Sequence, residues 1–320
     1  MYLNKILLSS EASSIPAPLF VTWFQCVVTC GIVWIIGEYN EAHHGRSYDT
    51  SDASLKSNNR VTYNKRIAMS ILPLSFVFVG MVAFNNLCLK FVQVSFYNVA
   101  RSLTICFNVV FTYYILSKPT SLPVMLTLVV VIIGFVVGSD GEIDFSVTGT
   151  VFGVTSSIFV SLNSIYTKKS MKYVDDNESK LLFVNNLNAV LIFTPLVLYL
   201  ESDTIASNLD KLVSPYFWLM MTLSGVFGYL IGLFNVLQVS AIGPLGHNVS
   251  GTAKAAVQSL MAFHIWGNEA TAKGLGGIFT VLFGSGLFAF IKMKEGEAEK
   301  KAIKAVVSGE LKDSNEMTKP

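Results

Sequence analysis

Nine apolar stretches follow one another along this chain, and they constrain its fold more than any other feature. They lie at residues 18–38, 67–89, 94–116, 121–138, 148–167, 181–200, 215–238, 244–266 and 274–292. A bilayer core about 30 Å thick requires roughly 20 apolar residues per helix. Only 14% of the 320 residues are charged, whereas soluble domains carry about 25%. We therefore predict an all-α polytopic membrane protein, and the composition excludes a disordered chain, a nucleic-acid-binding protein and a secreted disulfide scaffold.

The basic residues are concentrated in alternate loops. Of the 23 Lys and Arg residues, 17 fall in segments 39–66, 117–120, 168–180 and 292–320, and only three fall in the opposite loops. Lys and Arg are enriched in cytosolic loops, so we expect these segments and the C-terminus to be cytosolic. Segment 293–320 is charged and has no apolar stretch, which predicts a mobile cytosolic tail.

A shift of 150 residues aligns segment 83–99 with segment 233–249, with five identities in 17 positions. Each segment ends one span and begins the next, so the repeating unit is five spans, and an odd number of spans inverts the second copy. Inverted repeats are typical of secondary transporters, whose substrate site lies near the bilayer midplane between the repeats. We predict a first repeat over 18–147 and a second repeat over 148–292. Ten spans need one more helix, so residues 1–17 are expected to be the remnant of a first helix and a luminal loop; the alternative is a nine-helix protein.

Two positive charges lie inside predicted spans, at Arg101 and Lys254. Under the same shift Lys254 corresponds to position 104, nearly one helical turn from Arg101, so both should face one cavity. A charge at membrane depth is usually paired or functional, and no span carries an acidic residue deep enough to neutralise these two. A diphosphate could engage both cations. The alternative for Arg101 is that its side chain reaches the luminal interface and only anchors the helix.

Amide side chains are the second class of candidate ligand contacts. Asn185 and Asn186 stand side by side at the start of a span, and Asn98 and Asn248 are further candidates. Adjacent amides present donors and acceptors together, which suits the edge of a nucleobase. An isolated Asn in a span also serves as an interhelical bond. Gly251 precedes Lys254 and leaves room for a ligand to approach the backbone, and no spacing of Cys and His predicts a metal or cofactor site.

Three segments carry a resemblance to a known family. They are LPLSFVFVGMVAFNNLCLKFVQVSFYNVARSLT (72–104), TVFGVTSSIFVSLNSIYTKK (150–169) and HNVSGTAKA (247–255). With them, the chain resembles the Golgi nucleotide-sugar transporters of the drug/metabolite transporter superfamily, and within these the GDP-fucose branch, over nearly its whole length. The resemblance implies two inverted five-helix repeats, a Golgi membrane location, and exchange of cytosolic GDP-fucose for luminal GMP in support of luminal fucosylation. A homodimer stays open.

The resemblance also implies roles for particular residues. A Phe-Tyr-Asn-Asn motif linked to guanine recognition falls on positions 183–186, where Val184 replaces the aromatic residue and Asn185 and Asn186 remain. A Gly-Ala-Leu-Asn-Lys motif linked to the sugar and the diphosphate falls on positions 250–254, where only Lys254 is kept. Gly251, Thr252 and Ser250 would then shape the sugar pocket. The family's first helix ends in Leu-Asn-Lys, which matches Leu3-Asn4-Lys5, so the chain resembles a member truncated through that helix.

Two other functions remain open on the sequence alone. One is transport of another nucleotide sugar, such as GDP-mannose, or of a phosphorylated metabolite. The other is a polytopic glycosyltransferase or phosphotransferase that uses the same cations on a diphosphate. Such an enzyme needs a carboxylate pair for a metal ion or a catalytic base near the site, and the dense carboxylates here lie in loops.

Overall fold

The computed structural model describes residues 15–44, 64–92, 94–116, 121–140, 147–266 and 272–317. The described chain is helical, and its helices are α1 Pro18–His44, α2 Lys65–Phe91, α3 Val94–Leu116, α4 Leu122–Asp140, α5 Val147–Met171, α6 Glu178–Leu200, α7 Ser202–Ala206, α8 Leu209–Leu212, α9 Pro215–Trp266 and α10 Ala272–Met317. Helix α9 contains a kink at Gly243, which is the one non-helical residue within it. The prediction of an all-α polytopic membrane protein is confirmed.

Each of the nine apolar stretches coincides with a helix, if the two halves of α9 are counted separately. Five helical segments of the described chain are long and apolar enough to cross a membrane, and a shorter apolar helix covers Leu122–Val137. The number of nine spans and the inverted orientation of the repeats stay predictions. The segment 1–17 is predicted to be the remnant of a first helix and a luminal loop, and its residues 1–14 lie outside the described residues.

The helix starts follow the same 150-residue shift as the sequence. Helices α2, α3 and α4 begin at Lys65, Val94 and Leu122. Helix α9, its second half after Gly243, and α10 begin at Pro215, Pro244 and Ala272, each 150 residues later. Three consecutive helices therefore repeat with the same spacing, which supports the internal repeat.

The helices form two compact units, and each unit takes helices from both halves of the sequence. Unit 1 comprises residues 1–92 and 146–248, and unit 2 comprises residues 93–145 and 249–320. The sequence halves at 18–147 and 148–292 are thus not the units that pack together. The division into two repeats therefore describes the order of the helices in the sequence and not the way in which they pack.

Unit 1 is built around α2, which packs against α5 and α6, while α1 packs against α6. Ile71 and Leu74 of α2 are buried together with Leu181 and Val184 of α6. Polar side chains join the same two helices, because the Asn188 amide donates to the carbonyl oxygen of Ala68 over 2.9 Å. Within a bilayer no hydrophobic driving force brings helices together, so van der Waals packing of these side chains and the Asn188 hydrogen bond position α6.

Unit 2 is built around the contact between α4 and α10, with α3 packed against α4. The close approach needs Gly134, since a Cβ there would lie 2.7 Å from the backbone nitrogen of Val281. Helix α10 is continuous past residue 293, so the segment predicted to be a mobile tail begins as helix and continues as helix to Met317. Whether the tail moves stays a prediction.

Four hydrogen bonds link three pairs of distant segments near the helix ends. The Glu201 carboxylate accepts from the backbone nitrogens of Leu19 and Phe20 over 3.0 and 2.8 Å. Ser121 bonds to Glu295, and Lys168 bonds to the carbonyl oxygen of Ser240. In each case the partners lie at helix ends that the predicted alternation of the spans places on the same side of the membrane, so the bonds are consistent with that alternation.

Candidate functional site

One face of α3 carries a row of polar side chains within unit 2. Tyr97, Arg101, Thr104 and Asn108 are spaced by three or four residues, so they lie above one another on the helix. The Arg101 guanidinium donates from Nη1 to the Tyr97 hydroxyl over 3.0 Å, and its carbon lies 6.0 Å from the centre of the Tyr97 ring. Tyr97, Thr104 and Asn108 are buried, and Arg101 is half-buried.

The row includes a buried hydroxyl that has no partner among the described residues. Thr104 is 4% exposed and its Oγ1 makes no hydrogen bond there. The Asn108 Oδ1 accepts from Thr112 over 3.0 Å. A buried polar atom left unsatisfied costs about 1–3 kcal/mol, so the Thr104 hydroxyl is suited to a ligand atom that arrives beside Arg101.

Lys254 lies near this row. Its positive charge and that of Arg101 are close enough to repel each other. Neither residue forms an ion pair with an acidic residue of the described chain, where the one such pair in hydrogen-bonding range joins Lys292 and Glu295 at 2.8 Å. Both cations belong to unit 2, and their position in one cavity stays a prediction. Arg101 is half-buried and Lys254 is exposed, and two like charges near each other favour an anionic ligand.

The backbone next to Lys254 is open. Gly251 lies three residues earlier on α9, and a Cβ built on it would meet no described atom within 4 Å. Ser250 is half-buried on the same turn. The side chains of Asn98, Asn248 and Thr252 lie outside the described part of the chain. The open face at Gly251 leaves room for a sugar or phosphate next to Lys254.

The two amides of α6 belong to unit 1. Asn185 and Asn186 are 8% and 6% exposed. The Asn185 Oδ1 accepts from the Ser75 hydroxyl over 3.0 Å, and the Asn186 Nδ2 donates to the carbonyl oxygen of Leu182 over 2.8 Å. No described partner is bonded to Nδ2 of Asn185 or to Oδ1 of Asn186. One donor and one acceptor thus remain on adjacent residues.

Sequence reasoning missed two residues of this site. Tyr97 lies four residues before Arg101 and Thr104 three residues after it. That spacing around an intramembrane cation is a signal that could have found both, since such positions share a helix face. Metal ligands do not cluster anywhere in the described ranges, where no group of three or more His, Cys, Asp or Glu residues could hold an ion.

Comparison with known proteins gives a consistent result. The model of the Triose-phosphate Transporter family matches residues 2–289. The chain is 40% identical over 317 residues to GDP-fucose transporter 1 of Monosiga brevicollis, covering 98% of this chain and 91% of that protein. It is 45% identical over 266 residues to GDP-fucose transporter 1 of Mus musculus, covering 82% and 70% respectively.

Two further matches extend the comparison. A protein named GDP-fucose transporter, Golgi, from Drosophila melanogaster is 36% identical over 300 residues, covering 92% of this chain and 86% of that protein. A solved crystal structure with 10% sequence identity has a TM-score of 0.57 and covers 90% of this chain and 94% of its own. The latter is a likeness of fold alone.

Proposed function

This chain belongs to the Triose-phosphate Transporter family, and from that membership and the cations of unit 2 we propose that it carries GDP-fucose across the Golgi membrane into the lumen. Relatives that share 36–45% of its residues over most of its length bear the name GDP-fucose transporter. The named relatives are transporters and not enzymes. The resemblance inferred from segments 72–104, 150–169 and 247–255 is thereby confirmed at the level of the family.

The observation that carries the proposal is the pair of cations Arg101 and Lys254. Their charges act on each other, and no acidic residue of the described chain is paired with either. A diphosphate brings two negative groups a few ångströms apart, so it can neutralise both. Charge-assisted hydrogen bonds to phosphate are worth about 1.5–3 kcal/mol each. The Thr104 hydroxyl and the open backbone at Gly251 would supply further contacts to the same ligand.

The remaining site residues are assigned by the chemistry of the ligand. Asn185 and Asn186 would read guanine, because one free amide donor and one free carbonyl acceptor match the O6 acceptor and the N1–H donor of that base. Gly251, Thr252 and Ser250 would shape the sugar pocket, and Asn98 and Asn248 would add hydrogen bonds to the polar ligand. Each of these assignments is a proposal for mutagenesis.

GMP is proposed as the counter-substrate. It keeps the guanine and one phosphate of GDP-fucose, so residues that recognise either of these groups can bind both ligands. Exchange then requires that the protein interconverts between two conformations while either ligand is bound. A ligand shifts the equilibrium between these conformations by the difference between its affinities for them. No bond is made or broken in this cycle.

Ligand selectivity tests the proposal without a transport assay. The purified chain is unfolded by heat in detergent with GDP-fucose, GDP-mannose, GMP, UDP-galactose or fucose 1-phosphate. A ligand that binds only the folded state raises its stability in proportion to the logarithm of its concentration over Kd. Stabilisation by GDP-fucose and GMP, with little effect of UDP-galactose, is expected. Equal stabilisation by UDP-galactose would contradict guanine selectivity, and stabilisation by fucose 1-phosphate alone would indicate a sugar-phosphate carrier.

A further inference from the structure

Helix α9 bends at a point where its own hydrogen bonding is interrupted. Gly243 has φ 77° and ψ 172°, a conformation that side-chain-bearing residues rarely adopt. The next residue, Pro244, has no backbone N–H. In a helix that N–H would bond to the carbonyl oxygen four residues earlier, which is that of Ser240. The bend therefore leaves the Ser240 carbonyl without its helical donor.

A side chain from another helix takes the place of that donor. The Nζ of Lys168 donates to the Ser240 carbonyl oxygen over 2.8 Å. Lys168 lies in the last turn of α5, and both residues belong to unit 1. A positive charge at the C-terminal end of a helix also interacts favourably with the helix dipole. The ammonium thus ends the first half of α9 as a cap does.

A second side-chain bond spans the same bend. His247 lies after Pro244, and its Nδ1 is 3.0 Å from the Oε1 of Gln238, which lies before Gly243. A Cβ added at Gly243 would meet no described atom within 4 Å. Packing therefore does not require the glycine, whereas its positive φ does. A glycine and a proline therefore form the bend, and side-chain hydrogen bonds from Lys168 and between His247 and Gln238 stabilise it.

The position of the bend along the chain suits a hinge. Helix α9 passes from unit 1 to unit 2 at residues 248–249, directly after the bend. Lys254 follows His247 by two helical turns. Residues that absorb a change in backbone angles at element ends are the usual hinges of a conformational cycle. Resting on the transport function proposed above, we propose that Lys168 is a positioning residue that holds this hinge of α9 in one bend through the Ser240 carbonyl.

The chemistry of the bond suits such a role. Lys168 is exposed, so water can replace its ammonium at the carbonyl when the hinge changes its angle. A cap that is made in one conformation and broken in the other changes the rate of interconversion, but it does not touch the ligand. Loss of Lys168 should therefore affect the maximal rate of exchange and leave half-saturation by the ligand nearly unchanged.

The test compares Lys168→Met with Lys169→Met in liposomes that contain the full chain. Lys169 is the adjacent exposed lysine, so Lys169→Met removes the same charge as Lys168→Met. The Nζ of Lys169 lies 5.9 Å from the centre of the Tyr166 ring. Lys168→Met is expected to change the maximal rate of GDP-fucose exchange by about two- to tenfold, the factor that one hydrogen bond is worth. Lys168→Arg keeps a donor and a charge, and it should reverse most of this change. Lys169→Met should behave as the unsubstituted chain.

A second variant tests the link to Pro244. Pro244→Ala supplies the missing N–H to Ser240, so in that background the additional change Lys168→Met should have little effect. Three results would overturn the proposal: equal rates for Lys168→Met and Lys169→Met, an undiminished effect of Lys168→Met in the Pro244→Ala chain, or a rise in half-saturation that shows contact with the substrate.

A measurement that does not depend on transport separates this inference from the proposed function. Amide hydrogen exchange of peptides covering residues 238–250 should become faster in Lys168→Met and remain unchanged in Lys169→Met. If the unsubstituted chain fails to move GDP-fucose but this difference is found, the substrate proposal fails and the hinge cap stands. If transport is normal and the exchange of the two variants is the same, the hinge cap is wrong.

Discussion

The Nη1 of Arg101 lies 3.0 Å from the hydroxyl oxygen of Tyr97, one turn earlier on α3. The hydrogen bond holds the guanidinium beside a buried side chain. This arrangement argues against a role for Arg101 limited to anchoring its helix at the interface. A guanidinium that is already oriented loses less entropy when it binds a phosphate.

The Tyr97 hydroxyl can be removed without loss of its ring. Tyr97→Phe should raise the half-saturating concentration of GDP-fucose by about two- to tenfold, the factor for one lost hydrogen bond. Tyr114→Phe is the matched control, because Tyr114 lies on the same helix and is 76% exposed. Uptake kinetics in liposomes provide the measurement. A Tyr97→Phe chain with the kinetics of Tyr114→Phe would show that the orientation of Arg101 does not matter.

Removal of the Lys254 charge should impair binding and leave the fold intact. Lys254→Ala relieves repulsion with Arg101, so the thermal unfolding temperature should not fall. Affinity for GDP-fucose and for GMP should each fall by about tenfold or more, since a charge-assisted bond worth about 1.5–3 kcal/mol is lost. Lys172→Ala, which removes an exposed lysine, is the control. Normal affinity of the Lys254→Ala chain for both nucleotides would refute the diphosphate clamp.

The positions of the cations could be predicted from the sequence because charge at membrane depth is rare and therefore informative. The helices could be predicted because apolar stretches of about 20 residues have few alternatives in a bilayer. The two compact units could not, because packing of α4 on α10 or α2 on α5 joins segments far apart in sequence. The bond from Lys168 to Ser240 was missed for the same reason, although Gly243-Pro244 marks the bend in the sequence itself.

The proposed reading of guanine by α6 can be separated from helix packing. Asn186→Ala should weaken the stabilisation of the chain by GMP while leaving its weak response to UDP-galactose unchanged. Asn188→Ala is a matched control on the same helix, because its amide bonds to the carbonyl oxygen of Ala68. The control should lower thermal stability and keep the preference for guanine. If both variants retain that preference, Asn186 has a packing role alone.

Glu201 should make stability depend on pH. Burial raises the pKa of this carboxyl above its ordinary value, although the bonds from the Leu19 and Phe20 backbone nitrogens oppose the shift. Between the ordinary and the raised pKa the folded state holds a proton that the unfolded state has released, so stability falls as pH rises through that window. Glu201→Gln cannot titrate and should flatten the dependence of the unfolding temperature on pH from mildly acidic conditions to neutrality. An unchanged slope in the variant would assign the dependence to other groups.

Exchange in liposomes tests the central claim most directly. Vesicles that contain the purified chain are loaded with GMP, with UMP or with buffer, and uptake of labelled GDP-fucose is compared with that of GDP-mannose and UDP-galactose. We predict rapid uptake of GDP-fucose into vesicles loaded with GMP, slow uptake into the other two sets, and little uptake of the competing sugars. Uptake of UDP-galactose at the rate of GDP-fucose, or uptake of GDP-fucose that does not depend on internal GMP, would contradict a guanine-specific exchanger.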